Sequence, residues 1–451
     1  MISTDFEYAY NKPSSVSDEK LGKEFLLSHC SEIQDNSNEN CFFYGNIIDS
    51  FIVSKCLSAL AKTVRSHFAI ARGLHLKLRD PIVSVGNEQL KFEGFSSCNG
   101  VYARVDIKPR AIDGEFLFSG STNVDFNNDT VRAFNTINKD EKLILGVGAK
   151  SLDVITDFKT TKEKKVSLPD KWIKGLGNVQ VYLSEMELVC ELSKVEAIML
   201  MKSVPKTNVK DDFFLTKEAN RFKFSPSARN SLFKIGAIHR LHLITHLLTH
   251  MDALSFYKDK DEQSIALILH FKNVQMLFLF SAGAYRGLSG EGKNLEKFSL
   301  NIPDEYLVGI NNVFKANDVF NPTLLAIESD IDLSLMNHSH AYLSSIGLLG
   351  FDLAAQNHFY RRLPFKLNRL RSLNPRYKNA QKLIDQNNIN VLSNANGRLE
   401  AEVKGTSGII HKVIITNETD FCTCTWFTQN RTSRGLCKHV LGVKLISSEF
   451  L

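Results

Sequence analysis

FCTCTWFTQNRTSRGLCKHVLGVKLI, residues 421–446, holds two matched pairs of soft-metal donors. Cys422 and Cys424 stand two apart, Cys437 and His439 stand two apart, and twelve residues separate the pairs. Zinc takes four nitrogen or sulfur ligands in a tetrahedron, and a structural site is closed by protein groups alone. In a turning backbone, residues i and i+2 can aim at one ion, and twelve residues suffice to fold the second pair onto the first. Three unrelated buried cysteines and a core histidine are the bland alternative. Two matched pairs within eighteen residues argue against it. With Cys422, Cys424, Cys437 and His439 all as ligands, no position is left for a catalytic water, so Zn²⁺ here is expected to hold a fold together.

Outward from the cluster, the preceding chain reads as β: Ile389–Leu392, a turn at Asn394–Gly397, then Arg398–Lys404 and Ile409–Thr416. The following CKHVLGVKLI reads as a helix with Val440, Leu441, Val443 and Leu445 on its apolar side. One donor pair is thus expected at a strand end and the other at a helix start, where free N–H groups favour thiolate.

Cys-x-Cys followed after a gap by Cys-x-His resembles the SWIM-type zinc finger, with all four ligand positions filled. The resemblance implies a short ββα form that binds DNA or proteins. Beyond the finger, FEGFSSCNGVYARVDI (92–107), STNVDF (121–126), KWIKGL (171–176) and AYRGLSGEG (284–292) resemble a stand-alone bacterial SWIM group. That group implies no particular activity.

Charge is distributed unevenly. The chain carries 55 Lys+Arg against 49 Asp+Glu, and residues 353–451 alone hold a balance of +9 while residues 1–352 hold −3. Between Arg361 and Lys382 there are eight basic residues and no acid. Arg361, Arg362, Lys366, Arg369, Arg371, Arg376 and Lys378, interleaved with Tyr360, Phe365 and Tyr377, are candidates for tracking a phosphate backbone. Arg431, Arg434 and Lys438, inside the finger, join them. A solvated linker competes evenly with that reading.

The 451 residues, 43% of them hydrophobic, are enough for real cores and exclude a disordered or collagen-like chain. The expected class is α+β: two larger α+β units followed by a small C-terminal ββα zinc finger. The boundaries expected are a polar tail over 1–40, α+β units over 41–210 and 225–352, a basic linker over 353–384, and a β-meander with the finger over 385–451. Within them, a helix is expected after Cys41. Strands are expected at Ile82–Val85, Leu90–Phe95, Val101–Ile107, Glu115–Phe118, Leu143–Val147, Leu152–Phe158 and Val179–Leu183. Ser227–Tyr257 reads as helix, Ser264–Phe271 with Val274–Phe280 as a hairpin, and Asp304–Lys315 and Ala341–Phe351 as helices.

Weaker constellations carry less. Gly287–Asn294 has the form G-x₄-G-K, but Asn294 replaces the Mg²⁺-binding hydroxyl and no βαβ alternation surrounds it, so a glycine-rich turn is favoured. His239, His242, His246 and His250 share one side of the expected helix over about three turns, too long a reach for one ion. His338 and His340 read as loop, and Cys98 as a buried free thiol.

No secretory or membrane-spanning signal stands out, and scattered cysteines fit a reducing cytoplasm. The function expected is zinc-dependent binding of DNA or RNA, with a protein partner as the close alternative. An enzyme site within 41–350, near Arg104, Asp106 and Asn123 or near Arg286 and Glu291, is the rival from another class.

Overall fold

The computed structural model describes residues 13–30, 42–68, 80–86, 88–148, 170–209, 211–218, 221–260, 264–283, 287–288, 319–328, 330–361, 363, 373–430 and 435–447. They group into two compact units. The first lies within Met1–Trp172, Glu185–Leu288 and Arg361–Phe365, the second within Ile173–Ser184, Ser289–Tyr360 and Lys366–Leu451.

The first unit opens with β1 (Ser15–Glu19), β2 (Gly22–Leu27), β3 (His29–Cys30), β4 (Phe43–Ile47) and helix α1 (Ser50–Arg65). Next come β5 (Ile82–Val85), β6 (Leu90–Phe95), β7 (Val101–Ile107), β8 (Ile112–Phe116), β9 (Gly120–Val124), α2 (Asn128–Thr136) and β10 (Lys142–Val147). Helix α3 (Asp170–Ser184) belongs from Ile173 onward to the second unit, and the first resumes with β11 (Met186–Ser193) and α4 (Lys194–Met201). The unit continues with β12 (Phe213–Glu218), β13 (Arg221–Ser225), β14 (Ser231–Ile235), a 3₁₀ segment (Ile238–Leu247), β15 (Ala253–Asp259), β16 (Ser264–His270) and β17 (Val274–Ser281).

Nine of these strands form one sheet in the order β11-β15-β16-β17-β7-β6-β5-β9-β3. Its central strands are buried along almost their whole length, which is why IALIL and MLFLF read as continuous apolar runs instead of alternating. Helix α1 lays Val53, Leu57, Leu60 and Val64 on this sheet, each fully buried and worth about 1.5–3 kcal/mol. Gly94 makes that approach possible: a β-carbon there would stand 2.7 Å from Val64 Cγ2.

Charged residues buried in the sheet are satisfied in pairs. Arg104 grips Asp106 through two nitrogens, at 2.8 and 2.9 Å, and Lys91 Nζ lies 3.3 Å from the same carboxylate. Burial works against the Asp106 carboxylate, but these cations outweigh it and hold its pKa below the usual range. Arg361 pairs with Glu93, which also accepts from the Tyr102 hydroxyl at 2.6 Å.

The second unit contains β18 (Val319–Phe320), α5 (Pro322–Glu328), α6 (Leu333–Ser345), β19 (Leu349–Asp352) and β20 (Asn357–Tyr360). Its C-terminal part is α7 (Pro375–Asp385), β21 (Ile389–Ala395), β22 (Arg398–Lys404), β23 (Ile410–Thr416), β24 (Asp420–Cys422), α8 (Thr425–Asn430) and α9 (Lys438–Ser447). The antiparallel sheet β21-β22-β23-β24 turns at Asn396 and Gly397, both with positive φ, as a two-residue Asn-Gly hairpin requires.

The α+β class is borne out, and so are most of the strands expected. Several readings are corrected. Residues 15–27, read as polar tail, form the hairpin β1–β2 and join a five-stranded sheet. The helix after Cys41 begins only at Ser50, because Phe43–Ile47 pairs as β4. Val179–Leu183 is helical, inside α3. That helix is buried on nearly every side, so its β-branched alternation carries no period to read.

Ser227–Tyr257 is not one helix but β14, the 3₁₀ segment and β15. Gly236 and left-handed Ala237 break it on one side. Helix α6 stops at Ser345 and Gly347 turns the chain into β19, so Ala341–Phe351 is split between helix and strand. His338 and His340 lie within α6, capped by Asp332, not in a loop. Leu152–Phe158 and Asp304–Lys315 lie outside the described residues, as does the glycine-rich segment beyond Leu288.

Candidate metal centre

Cys422 is the last residue of β24, paired across to Val413, and sits at 0% exposure. The chain turns immediately, and the Cys424 N–H points at Cys422 Sγ at 3.5 Å. α8 starts at Thr425, and the Phe427 N–H points back at Cys424 Sγ at 3.4 Å. On the other side Cys437 immediately precedes α9. Its carbonyl accepts the Leu441 N–H at 3.0 Å, and its sulfur faces the Val440 N–H at 3.4 Å. His439 follows in the first turn. Each sulfur thus faces backbone N–H groups that stabilise negative charge on it.

The four donor atoms lie within 4.8 Å of one another, all in buried residues. Among the described residues this is the one cluster of three or more such side chains. Cys422 Sγ is 3.7 Å from His439 Nδ1. Zn–S near 2.3 Å and Zn–N near 2.0 Å at tetrahedral angles give an S···N edge of about 3.6 Å, so the donor set fits zinc. Hydrogen bonds from Cys422 and Cys437 hold Cys424 below the ordinary thiol range, and donating to Cys424 holds Cys422 above it.

The centre is seated in a small core of Leu399, Ala401, Val403, Val413, Val440 and Leu441, closed by Ala380 and Leu383 of α7. His411 packs at a tilt against the His439 ring, 4.5 Å between centroids. Arg376, in the first turn of α7, donates to the Leu436 carbonyl at 2.7 Å and lies 4.4 Å over the Trp426 ring. Sequence spacing gave no hint of His411 or Trp426. A histidine eleven residues before Cys422 and a tryptophan two after Cys424 follow no ligand pattern.

The basic candidates divide. Arg361 is 1% exposed and bound to Glu93, so the expectation that it meets a phosphate backbone is corrected: its charge is spent inside the first unit. Arg376 is committed to Leu436 and Trp426. Lys378 is exposed on α7, and Lys438 is half-buried with its ammonium 3.3 Å from Thr406 Oγ1. Arg362, Lys366, Arg369, Arg371, Arg431 and Arg434 lie outside the described residues. On the outer sheet face, Glu400 takes up both Arg398 and Lys412.

The other clusters do not assemble into sites. His242 bonds the Pro205 carbonyl at 2.9 Å, His250 packs edge-on to Phe51, and His239 tilts against Phe68, so these three histidines serve separate neighbours. Cys98 is a free thiol, half-buried where a buried one was expected. Arg104, Asp106 and Asn123, at 1%, 5% and 1% exposure, are packed in the sheet. Among the described residues, no helix is long and apolar enough to cross a membrane.

Residues 411–446 match the family described as SWIM zinc finger, and such fingers bind zinc. The Cys₃His cluster lies inside that match. No curated protein matches the chain. Among solved structures the chain is similar to Proliferating Cellular Nuclear Antigen from Entamoeba histolytica, at 8% identity and a TM-score of 0.32, over 54% of this chain and 99% of that one. A likeness of that size carries no argument about function.

Proposed function

We propose that the SWIM zinc finger of this chain holds one structural Zn²⁺ through Cys422, Cys424, Cys437 and His439, and that the module so stabilised binds nucleic acid. The buried convergence of four donors from a strand end and a helix start carries the metal assignment. All four positions are protein side chains, so the ion supplies folding energy to a unit with too small a core of its own. The excess of positive charge in residues 353–451 supports an anionic partner. The exposed lysines Lys378, Lys382 and Lys404 and the rim residue Lys438 are the described cations left to meet it.

A gel shift with DNA and with RNA across a salt series tests this reading. Replacing those four lysines with glutamine should lower the magnitude of the log K against log[salt] slope by about one for each phosphate no longer neutralised. An unchanged slope defeats the nucleic-acid reading and leaves the protein-partner alternative. Apolar side chains exposed on and beside the finger sheet, Ile409, Ile410 and Phe421, support that alternative. Copurification from the native host separates the two.

A further inference from the structure

Asn374 caps α7 by accepting the Arg376 and Tyr377 N–H groups at 3.1 and 3.3 Å, which fixes the start of the helix beside the finger. From there one side chain reaches both halves of the donor set. Arg376 holds the carbonyl of Leu436, the residue immediately before Cys437, and covers the ring of Trp426, two residues after Cys424. The two contacts pin opposite ends of the segment that links the ligand pairs. Helix α7 is itself seated on α9: a β-carbon on Gly442 would lie 3.7 Å from the Ala380 carbonyl.

We propose that Arg376 is a positioning residue for the metal centre, and that α7, outside the matched finger segment, is part of the zinc-binding module. The inference rests on the zinc assignment made above. A planar guanidinium can donate in its plane to a carbonyl while its face lies on an indole, which an ammonium cannot do. Groups that orient ligands from behind typically govern metal affinity ten- to a hundredfold. Arg376 acts on the backbone beside the ligands, so the low end applies.

The test uses the full chain loaded with zinc and measures release to a chromogenic chelator, with the Co²⁺ d–d spectrum as a check on geometry. Arg376→Ala is expected to release zinc about tenfold faster, while still binding one Co²⁺ with a tetrahedral spectrum. Arg376→Lys is expected to fall between it and the wild type. Should Arg376→Ala fail to fold, Arg376→Lys and Trp426→Leu read the two contacts separately, and each is expected to speed release. Release at the wild-type rate in all folded variants overturns the inference, as does a lowered unfolding midpoint with no change in release. Wild-type protein that takes up no zinc overturns the ligand assignment itself, which is a different failure.

Discussion

Cys422 Sγ and His439 Nδ1 stand 3.7 Å apart, although one ends a strand and the other begins a helix seventeen residues later. Packing alone has no reason to bring a thiol and an imidazole to the edge length of a zinc tetrahedron, about 3.6 Å, with two further sulfurs alongside. The burial of all four makes the arrangement costly unless charge is neutralised there.

Removal of one ligand follows directly. Cys437→Ser replaces a soft thiolate by a poor zinc donor at the start of α9. Zinc content should fall from one per chain to well below one, and residues 375–447 should lose protection from protease. Structural zinc is worth on the order of 10 kcal/mol to a small finger, far beyond what this core supplies. Full zinc content with an intact C-terminal segment would refute the ligand set. Metal analysis and limited proteolysis read the two outcomes.

The acid response of the second unit is set by two stacked imidazoles. His340 of α6 and His358 of β20 lie 4.8 Å apart, and burial lowers their pKa values to about 3 and about 4. The unfolded chain protonates them near 6.5, so it binds more protons than the folded chain below that pH. Their contribution is complete above pH 6.5 and drains away as pH falls toward 4, by up to ~1.4 kcal/mol per pH unit for each ring. His358→Phe should remove about one proton's worth of slope between pH 6 and 4.5 in urea titrations. An identical slope in variant and wild type would show that the pair titrates normally.

How much of this was legible in the sequence varied with what governs each element. Ligand spacing is a local constraint, so the Cys₃His centre could be read before any fold was known. The hairpins at β16–β17 and β21–β22 were legible because turn chemistry marks them, Asn-Gly in the second case. Helix α3 was not: a helix buried on nearly every side shows no polar stripe, and VQVYL imitates a strand. The basic stretch misled for a similar reason. Charge counted along the chain cannot distinguish Arg361, sealed against Glu93, from Lys378 in solvent.

That distinction is open to measurement. Glu93→Ala leaves the Arg361 guanidinium buried without its carboxylate and should destabilise the first unit by about 3–5 kcal/mol. Glu93→Gln, which still accepts a hydrogen bond, should cost less. In the nucleic-acid salt series, by contrast, Arg361→Met should leave the slope at its wild-type value. A slope that falls by a full unit in that variant would place Arg361 at the phosphate backbone after all.

Helix α9 meets α7 closely at Gly442. A β-carbon there would stand 2.9 Å from the terminal methyl of Ile389 and 3.9 Å from the Ala380 Cα. Ile389 can turn aside, and alanine gains up to ~1 kcal/mol of helix propensity over glycine, so Gly442→Ala should be nearly neutral. Gly442→Leu has no such escape, since the backbone of α7 blocks it. It should cost about 1–3 kcal/mol, as overpacked cores do. Because His439 lies three residues earlier on the same helix, lifting α9 from α7 should also speed zinc release. A Gly442→Leu chain with wild-type unfolding midpoint and release rate would mean that the two helices are not in contact.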